Sequence, residues 1–246
     1  MNGDETTTPA GIMPTGTVGV NRTGRERTPP TAQHPPRADR VGSRGINTTA
    51  RVCGNGPVLD ALLLRLHTET VCRRGGALAI QLTDPDTQRS LVRLREKGPT
   101  VRWQPITPGL TRCLVEHADA RGAVLPTDPL LRFRDSHPLT TRHYDHLWKR
   151  LDDRLPWVAA HGMSIHWLRH TTLTWVERHY GYGITRAHAG HTDTTGPATT
   201  TYIKASLEEV ATALAAMTGQ PHPLAQPPQR NETTPPAATQ DDRLLS

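Results

Sequence analysis

The chain has 246 residues, of which 35% are hydrophobic and 4% aromatic, and its formal net charge is +6. This length suits one domain of ordinary size, and a basic balance favours a polyanionic partner such as nucleic acid. There is no apolar run long enough to cross a membrane, no signal-peptide core, and the 3 cysteines lack pairing or metal-binding spacing, which excludes a disulfide framework. We therefore expect a cytoplasmic protein in a reducing compartment.

The two ends of the chain differ in composition from its middle. Residues 1–56 are rich in Thr, Pro, Gly and Arg without apolar periodicity, and residues 220–246 are similar. Neither segment can bury enough apolar surface to offset the entropy lost on ordering. We expect both to be disordered, and residues 57–219 to form one folded domain.

The first half of that domain predicts two helices, a hairpin and a third helix. Residues 57–70 are apolar at helical spacing, and residues 73–82 begin a second helix after a turn. Residues 90–106 carry two β-rich runs around a Gly-Pro pair, which is typical of a hairpin. Thr107 and Pro108 then form a helix start, with Thr as the N-cap.

The second half is predominantly helical. Residues 130–133 suggest a short strand, and residues 140–155 carry an apolar helical stripe. Ser164 is a candidate N-cap for a helix to about Tyr180, which is followed by a shorter helix ending at Gly190. Together these elements predict an α+β fold, mostly α, with a small β-hairpin packed on a helical core.

A dense group of polar side chains lies in this second half. His166, Arg169 and His170 are spaced i, i+3 and i+4, so they share one face of the predicted helix. The planar fork of an arginine suits phosphate, and a histidine can donate a hydrogen bond or carry a proton. Tyr202 lies just before a capping box that begins the last helix at Ser206, so it is not part of an apolar stripe. This pattern predicts an anion site with a nucleophile beside it.

Several short motifs resemble those of the tyrosine recombinases, the phage-integrase family. "HWLRHT", "AGHTD" and "TTYIKAS" resemble the C-terminal signature of that family, and "TVCRRGGAL" and "REKGPTVRWQPI" resemble its first arginine and its hairpin lysine. The resemblance covers about residues 58–218. Six family positions are filled in order: Arg73, Lys97, His166, Arg169, His191 and Tyr202.

The resemblance implies a DNA breaking-and-joining reaction on double-stranded DNA. The Tyr202 hydroxyl would attack a phosphodiester, giving a 3′-phosphotyrosyl link and a free 5′-hydroxyl. Arg73 and Arg169 would stabilise the transition state, and Lys97 would protonate the leaving oxygen. His166 and the histidine at 191 would donate hydrogen bonds. The family needs no metal or other cofactor, and its members assemble as tetramers on DNA.

Three departures from the family pattern keep other functions open. Gly76 replaces the usual Glu that braces the first arginine, the loop between His191 and Tyr202 is slightly longer, and residues 1–56 are too short and polar for the helical core-binding domain. The chain could thus be a truncated integrase or a non-catalytic DNA-binding remnant, with a type IB topoisomerase a more distant alternative. A further hypothesis is a zinc site formed by the histidines at positions 166, 170, 188 and 191.

Overall fold

The computed structural model describes residues 46, 49, 56–96, 101–191 and 205–226. In these residues the helices, in chain order, are α1 (Pro57–Thr70), α2 (Arg74–Leu78), α3 (Pro108–Ala120), α4 (Thr141–Arg154), α5 (Pro156–Ala160), α6 (Ile165–Ala189) and α7 (Leu207–Thr218). The strands are β1 (Pro85–Asp86), β2 (Leu91–Arg95) and β3 (Val101–Pro105). The predicted α+β class, mostly α with a small sheet, is confirmed.

Helix α1 is the central helix of the domain. Pro57 occupies its first turn, where a missing N–H costs nothing. Its leucines are buried on several faces rather than along one stripe, as expected of a helix surrounded by others. It packs against α3 on one side and α6 on another. The C-terminal end of α1 is therefore enclosed by the elements that carry the candidate site.

The three strands form one antiparallel sheet in the order β1-β2-β3. Strand β2 pairs with β3 so that Leu91 faces Pro105 and Arg93 faces Trp103. The predicted hairpin is therefore confirmed, although residues 97–100 at its turn lie outside the described part of the chain. The short β1 was not predicted, because two residues give no periodic signal.

Local sequence signals set most of the helix boundaries. The side chain of Thr107 accepts a hydrogen bond from the backbone N–H of Leu110 and caps α3. Ser206 and Glu209 form the predicted capping box at α7. The predicted strand at 130–133 is wrong: its regular pairing is limited to an isolated bridge between Arg132 and Pro138.

Helix α6 has a break where the sequence predicts one helix to end and another to begin. Gly181 has φ 79° and ψ 176°, which interrupts the helical backbone. Gly190 ends the second part in a left-handed conformation with φ 69°, as the sequence predicts. The break leaves Arg169 and Ala189 on separate helical parts of α6.

Packed residues extend past both predicted domain boundaries. Ile46 is helical, only 1% exposed, and lies in the core cluster that contains Leu64 and Leu147. His222 is buried, and its Nε2 lies 3.0 Å from the carbonyl oxygen of Ser90. Ile46 and His222 thus lie outside the predicted limits at 57 and 219, and the division into one folded domain with two disordered ends stays a prediction. The disorder predicted for the rest of both ends concerns residues outside the described ranges.

None of the helices in the described residues is long and apolar enough to cross a membrane.

Candidate functional site

The Arg169 guanidinium is the centre of the candidate site. The side chain projects from α6 and is only 7% exposed. Its Nη1 donates a hydrogen bond to the Val71 carbonyl, and its Nη2 donates one to the Ala189 carbonyl at 2.9 Å. One side chain therefore ties the turn before Arg73 to the turn before His191.

Both carbonyls belong to turns with left-handed backbone. Val71 follows α1 with φ 47°, a conformation that a β-branched residue rarely adopts. Gly190 takes the left-handed conformation next to Ala189. Strained backbone of the Val71 kind costs about 1–3 kcal/mol and persists where surrounding contacts enforce it. Here the bond from Arg169 is one of those contacts.

Positive charges converge on this point. Burial lowers the pKa of Arg169 below its ordinary value, and the nearby charges of Arg73 and Arg102 lower it further. An arginine remains protonated at neutral pH even so. Partial burial likewise lowers the pKa of His191, with added effects of Arg169 and Arg186. His191 therefore favours a neutral imidazole that can donate one hydrogen bond.

A buried carboxylate lies among these arginines. Glu96 follows β2, and its Oε2 is 3.5 Å from Nη1 of Arg73. Its Oε1 is 3.4 Å from Nη2 of Arg102, which projects from β3. Arg102 also lies directly against Gly190, where any Cβ would collide with the arginine Nε. Glycine at 190 thus serves both the left-handed turn and the close approach of a guanidinium.

A cleft of about 220 Å³ opens beside His191. Its walls come from β3, from the end of α6 and from the start of α7, and they include Arg102, Gln104 and Ser206. The residues between His191 and Ala205, including Tyr202, lie outside the described ranges. The cleft therefore borders both ends of the segment that carries the predicted nucleophile.

His166 and His170 form a separate pair at the surface of α6. Their Nε2 atoms are 2.7 Å apart, and the two rings meet edge to face. One ring must donate and the other accept, so the contact requires a neutral acceptor nitrogen. Burial lowers the pKa of His170, and the neighbouring His166 and Arg169 add to this effect.

His188 has a structural role. It is fully buried, and its Nε2 lies 2.9 Å from the Glu69 carbonyl, so Nε2 carries the proton. Burial lowers its pKa to about 4. Across the described residues there is no group of three or more possible metal ligands, so these residues do not assemble the zinc site raised by the sequence.

The structure brings together some of the predicted site residues. Arg73, Arg169 and His191 lie close enough to influence one another's protonation. His166 contacts His170 and lies on the same helix as Arg169, whereas Lys97 and Tyr202 lie outside the described residues. The six assignments as a catalytic set therefore stay predictions.

Two residues of this cluster were missed from the sequence. Glu96 and Arg102 contact the same arginine network. Both lie within the hairpin stretch "REKGPTVRWQPI", but the resemblance assigned a role there to Lys97 and to neither of them. The one available signal was strand alternation, because Arg102 and Gln104 project from the same face of β3. That signal cannot name the partner of either side chain.

Comparison with solved structures identifies the fold of this chain. No protein-family model and no curated protein matches the chain. Among solved structures, XerA recombinase has 19% identity and a TM-score of 0.50, over 70% of this chain and 61% of the other. The post-cleavage complex of XerH site-specific recombinase with a palindromic difH substrate has 16% identity and a TM-score of 0.51, over 74% and 50%. The protein has the fold of a tyrosine recombinase catalytic domain.

A third solved structure agrees with this assignment. The Tn1549 transposon integrase in complex with circular intermediate DNA has 13% identity and a TM-score of 0.51. The match covers 68% of this chain and 62% of the solved part of that integrase. The tyrosine recombinase fold predicted from the motifs is therefore confirmed. The chain spans 50–62% of the length of these three solved recombinase chains.

Proposed function

We propose that the protein is a site-specific DNA recombinase or integrase that breaks and rejoins DNA through a 3′-phosphotyrosyl intermediate. The observation that carries the proposal is the pair of bonds from Arg169 to the Val71 and Ala189 carbonyls. They hold the Arg73 turn and the His191 turn around one point. A scissile phosphate at that point would meet groups already oriented toward it, which is how preorganised sites stabilise a transition state.

The charge balance of the cluster supports an anionic ligand. Among the described residues, three guanidinium groups, Arg73, Arg102 and Arg169, face the carboxylate of Glu96. The bonds from Arg169 to the two carbonyls use two of its five N–H groups, so its fork keeps further donors. A phosphodiester would supply both the missing negative charge and the acceptor oxygens.

The reaction is a conservative exchange of phosphodiester bonds. The Tyr202 oxygen forms a bond to phosphorus while the bond to the 5′-oxygen breaks, and Lys97 supplies the proton that the leaving oxygen needs. Arg73 and Arg169 stabilise the charge on the non-bridging oxygens. His166 accepts the tyrosine proton, and His191 donates a hydrogen bond. Reversal with a different 5′-hydroxyl joins a new strand without ATP.

Trapping of a covalent adduct tests this proposal. A pool of nicked duplexes of varied sequence is incubated with the protein in excess chelator, and protein–DNA adducts are isolated and sequenced. We expect adducts on a restricted set of sequences, because arginines supply the charge that metal ions supply in other phosphoryl-transfer sites.

Variants of two tyrosines assign the nucleophile. Tyr202→Phe removes the attacking oxygen and should abolish the adduct. Tyr180→Phe is the matched control, because Tyr180 lies on the first part of α6, before the break at Gly181, and its ring neighbours Trp175. Adducts that survive Tyr202→Phe would contradict the assignment. DNA binding without adduct under any condition would instead favour the non-catalytic remnant.

We further infer that several copies act together on DNA. Each protomer carries one Tyr202, and exchange between two duplexes involves four strands. A tetramer on paired DNA sites is therefore expected, and light scattering of the protein with and without adduct-forming duplexes measures it. A complex that never exceeds two protomers or one DNA duplex would contradict this inference.

A further inference from the structure

The Glu96 carboxylate occupies a specific place between two elements of the site. Its side chain is 4% exposed although it follows the last residue of β2. It pairs with Arg73 on one side and with Arg102 on the other. A buried carboxylate that pairs with two basic groups holds them near each other. Its removal would leave two positive charges side by side without a counter-charge, which destabilises their arrangement.

The contacts of Glu96 are looser than those of an ordinary buried ion pair. The two nitrogen–oxygen distances are 3.5 and 3.4 Å, whereas charge-assisted hydrogen bonds are about 2.7–2.9 Å long. Within the described residues, Oε2 of Glu96 accepts no hydrogen bond, and neither does Nε of Arg102 donate one. Glu96 thus holds the arginines in place while their donor capacity is only partly used.

Gly76 of α2 provides the space that this carboxylate fills. A Cβ at position 76 would lie 3.4 Å from Cδ and 3.4 Å from Oε2 of Glu96. The backbone of Gly76 is helical, so its conformation does not itself require glycine. A carboxylate side chain placed on residue 76 would therefore enter the volume that the Glu96 carboxylate now occupies.

We propose that Glu96 is the positioning residue of the arginine cluster and that it does the work of a carboxylate at position 76. Gly76 leaves room for the Glu96 carboxylate, which reaches this place from the end of β2. Glu96 acts through Arg73 and Arg102 and does not itself contact DNA. This inference rests on the proposed recombinase function for its kinetic consequences only.

A charge-swap experiment on protein stability tests the inference without DNA. Glu96→Ala removes the carboxylate, Gly76→Glu introduces a second one beside it, and the double variant moves it from one chain position to the other. We expect each single variant to lower the melting temperature and the double variant to recover most of the loss. Gly76→Ala controls for the added Cβ, and Glu116→Gln controls for loss of an exposed glutamate on α3. Additive losses in the double variant would overturn the proposal.

The kinetic experiment separates positioning from general stability. Glu96→Gln keeps the shape of the side chain and should lower the adduct rate at saturating nicked duplex by about tenfold or more, with less than a threefold change in DNA affinity. The swapped double variant should regain most of that rate. The positioning role would be overturned if the Glu96→Gln adduct rate stayed within twofold of wild type. It would also be overturned if DNA affinity fell by as large a factor as the adduct rate.

The two proposals fail in different ways. Absence of adduct in the wild-type protein would refute the recombinase function, and the stability cycle would still decide whether Glu96 and a carboxylate at 76 are interchangeable. Wild-type adduct with no recovery in the swapped variant, in either rate or melting temperature, would refute the role of Glu96 alone.

Discussion

Two arginine–carboxylate clusters meet strand β2, and they are built differently. In the first, which we call the Asp84 cluster, the buried Asp84 carboxylate accepts hydrogen bonds from Nε of Arg93 at 2.8 Å and from Nη2 of Arg95 at 2.9 Å. It also accepts one from the backbone N–H of Gln81 at 2.7 Å. Burial alone would raise the pKa of Asp84, but these bonds hold it below its ordinary value. Every side of this carboxylate is occupied.

The second, the Glu96 cluster, is incomplete by comparison. Its ion pairs to Arg73 and Arg102 are longer, and Arg73 is 54% exposed at the side chain. Arg169 adds a third positive charge beside it. A cluster whose donors are saturated stabilises the fold, whereas one with surplus charge and open donors is suited to a further anion. Substitutions at Asp84 should therefore affect stability alone, whereas those in the Glu96 cluster should also affect chemistry.

The largest effect is expected for Arg169→Ala. Losing a preorganised donor at the reacting phosphate lowers the adduct rate by about a hundred- to a thousandfold. The same change leaves the buried carbonyls of Val71 and Ala189 without partners, at about 1–3 kcal/mol each, so the melting temperature should fall too. DNA affinity at moderate salt should change little, because many phosphate contacts share it. A normal adduct rate per folded molecule would remove Arg169 from the chemistry.

Asp84→Asn should show the opposite profile. It breaks a buried, fully bonded pair and should lower the free energy of unfolding by about 3 kcal/mol, at the low end of such losses because Arg93 and Arg95 reach solvent. Since the pKa of Asp84 is lowered in the fold, its contribution is complete above pH about 4 and is lost as pH falls through the folded pKa. Denaturation at several pH values measures this. A large loss of adduct rate per folded molecule would erase the contrast between the clusters.

Two buried histidines should make the fold sensitive to acid. Burial lowers the pKa of His67 and of His188 to about 4 each, well below the unfolded value of 6.5. The unfolded chain therefore binds protons first, and stability declines from pH 6.5 toward 4, by up to about 3 kcal/mol per histidine. His188→Gln should flatten this decline, whereas His146→Gln, at an exposed histidine, should leave it unchanged. An unchanged slope in His188→Gln would contradict the assignment.

The smallest effect is expected for His191→Ala. Removing one neutral hydrogen-bond donor should lower the adduct rate by about tenfold, with little change in melting temperature, because the side chain is exposed. Its pKa is lowered, so the neutral form already dominates at pH 6.5 and above. The ratio of wild-type to variant rates should thus be the same at pH 6.5 and pH 8. A ratio that shrinks as pH rises would indicate that the imidazolium acts instead.

The sequence by itself determined the local structure and the chemistry on offer. The leucine spacing of 57–70, the cap at Thr107 and the capping box at Ser206 each act within one or two turns, so they could be recognised from neighbouring residues. The motifs around Arg73 and Arg169 likewise predicted the tyrosine recombinase fold that the structural comparison confirmed.

Only the tertiary structure decided how those residues meet. Arg169 and Val71 are 98 positions apart, and no local pattern predicts that a helix side chain closes on that carbonyl. The same holds for Glu96, whose partners come from different elements, and for Ile46 in the core. Local propensity acts through neighbours in the chain, whereas these contacts depend on how the helices and the sheet pack. They could therefore be identified only in the folded protein.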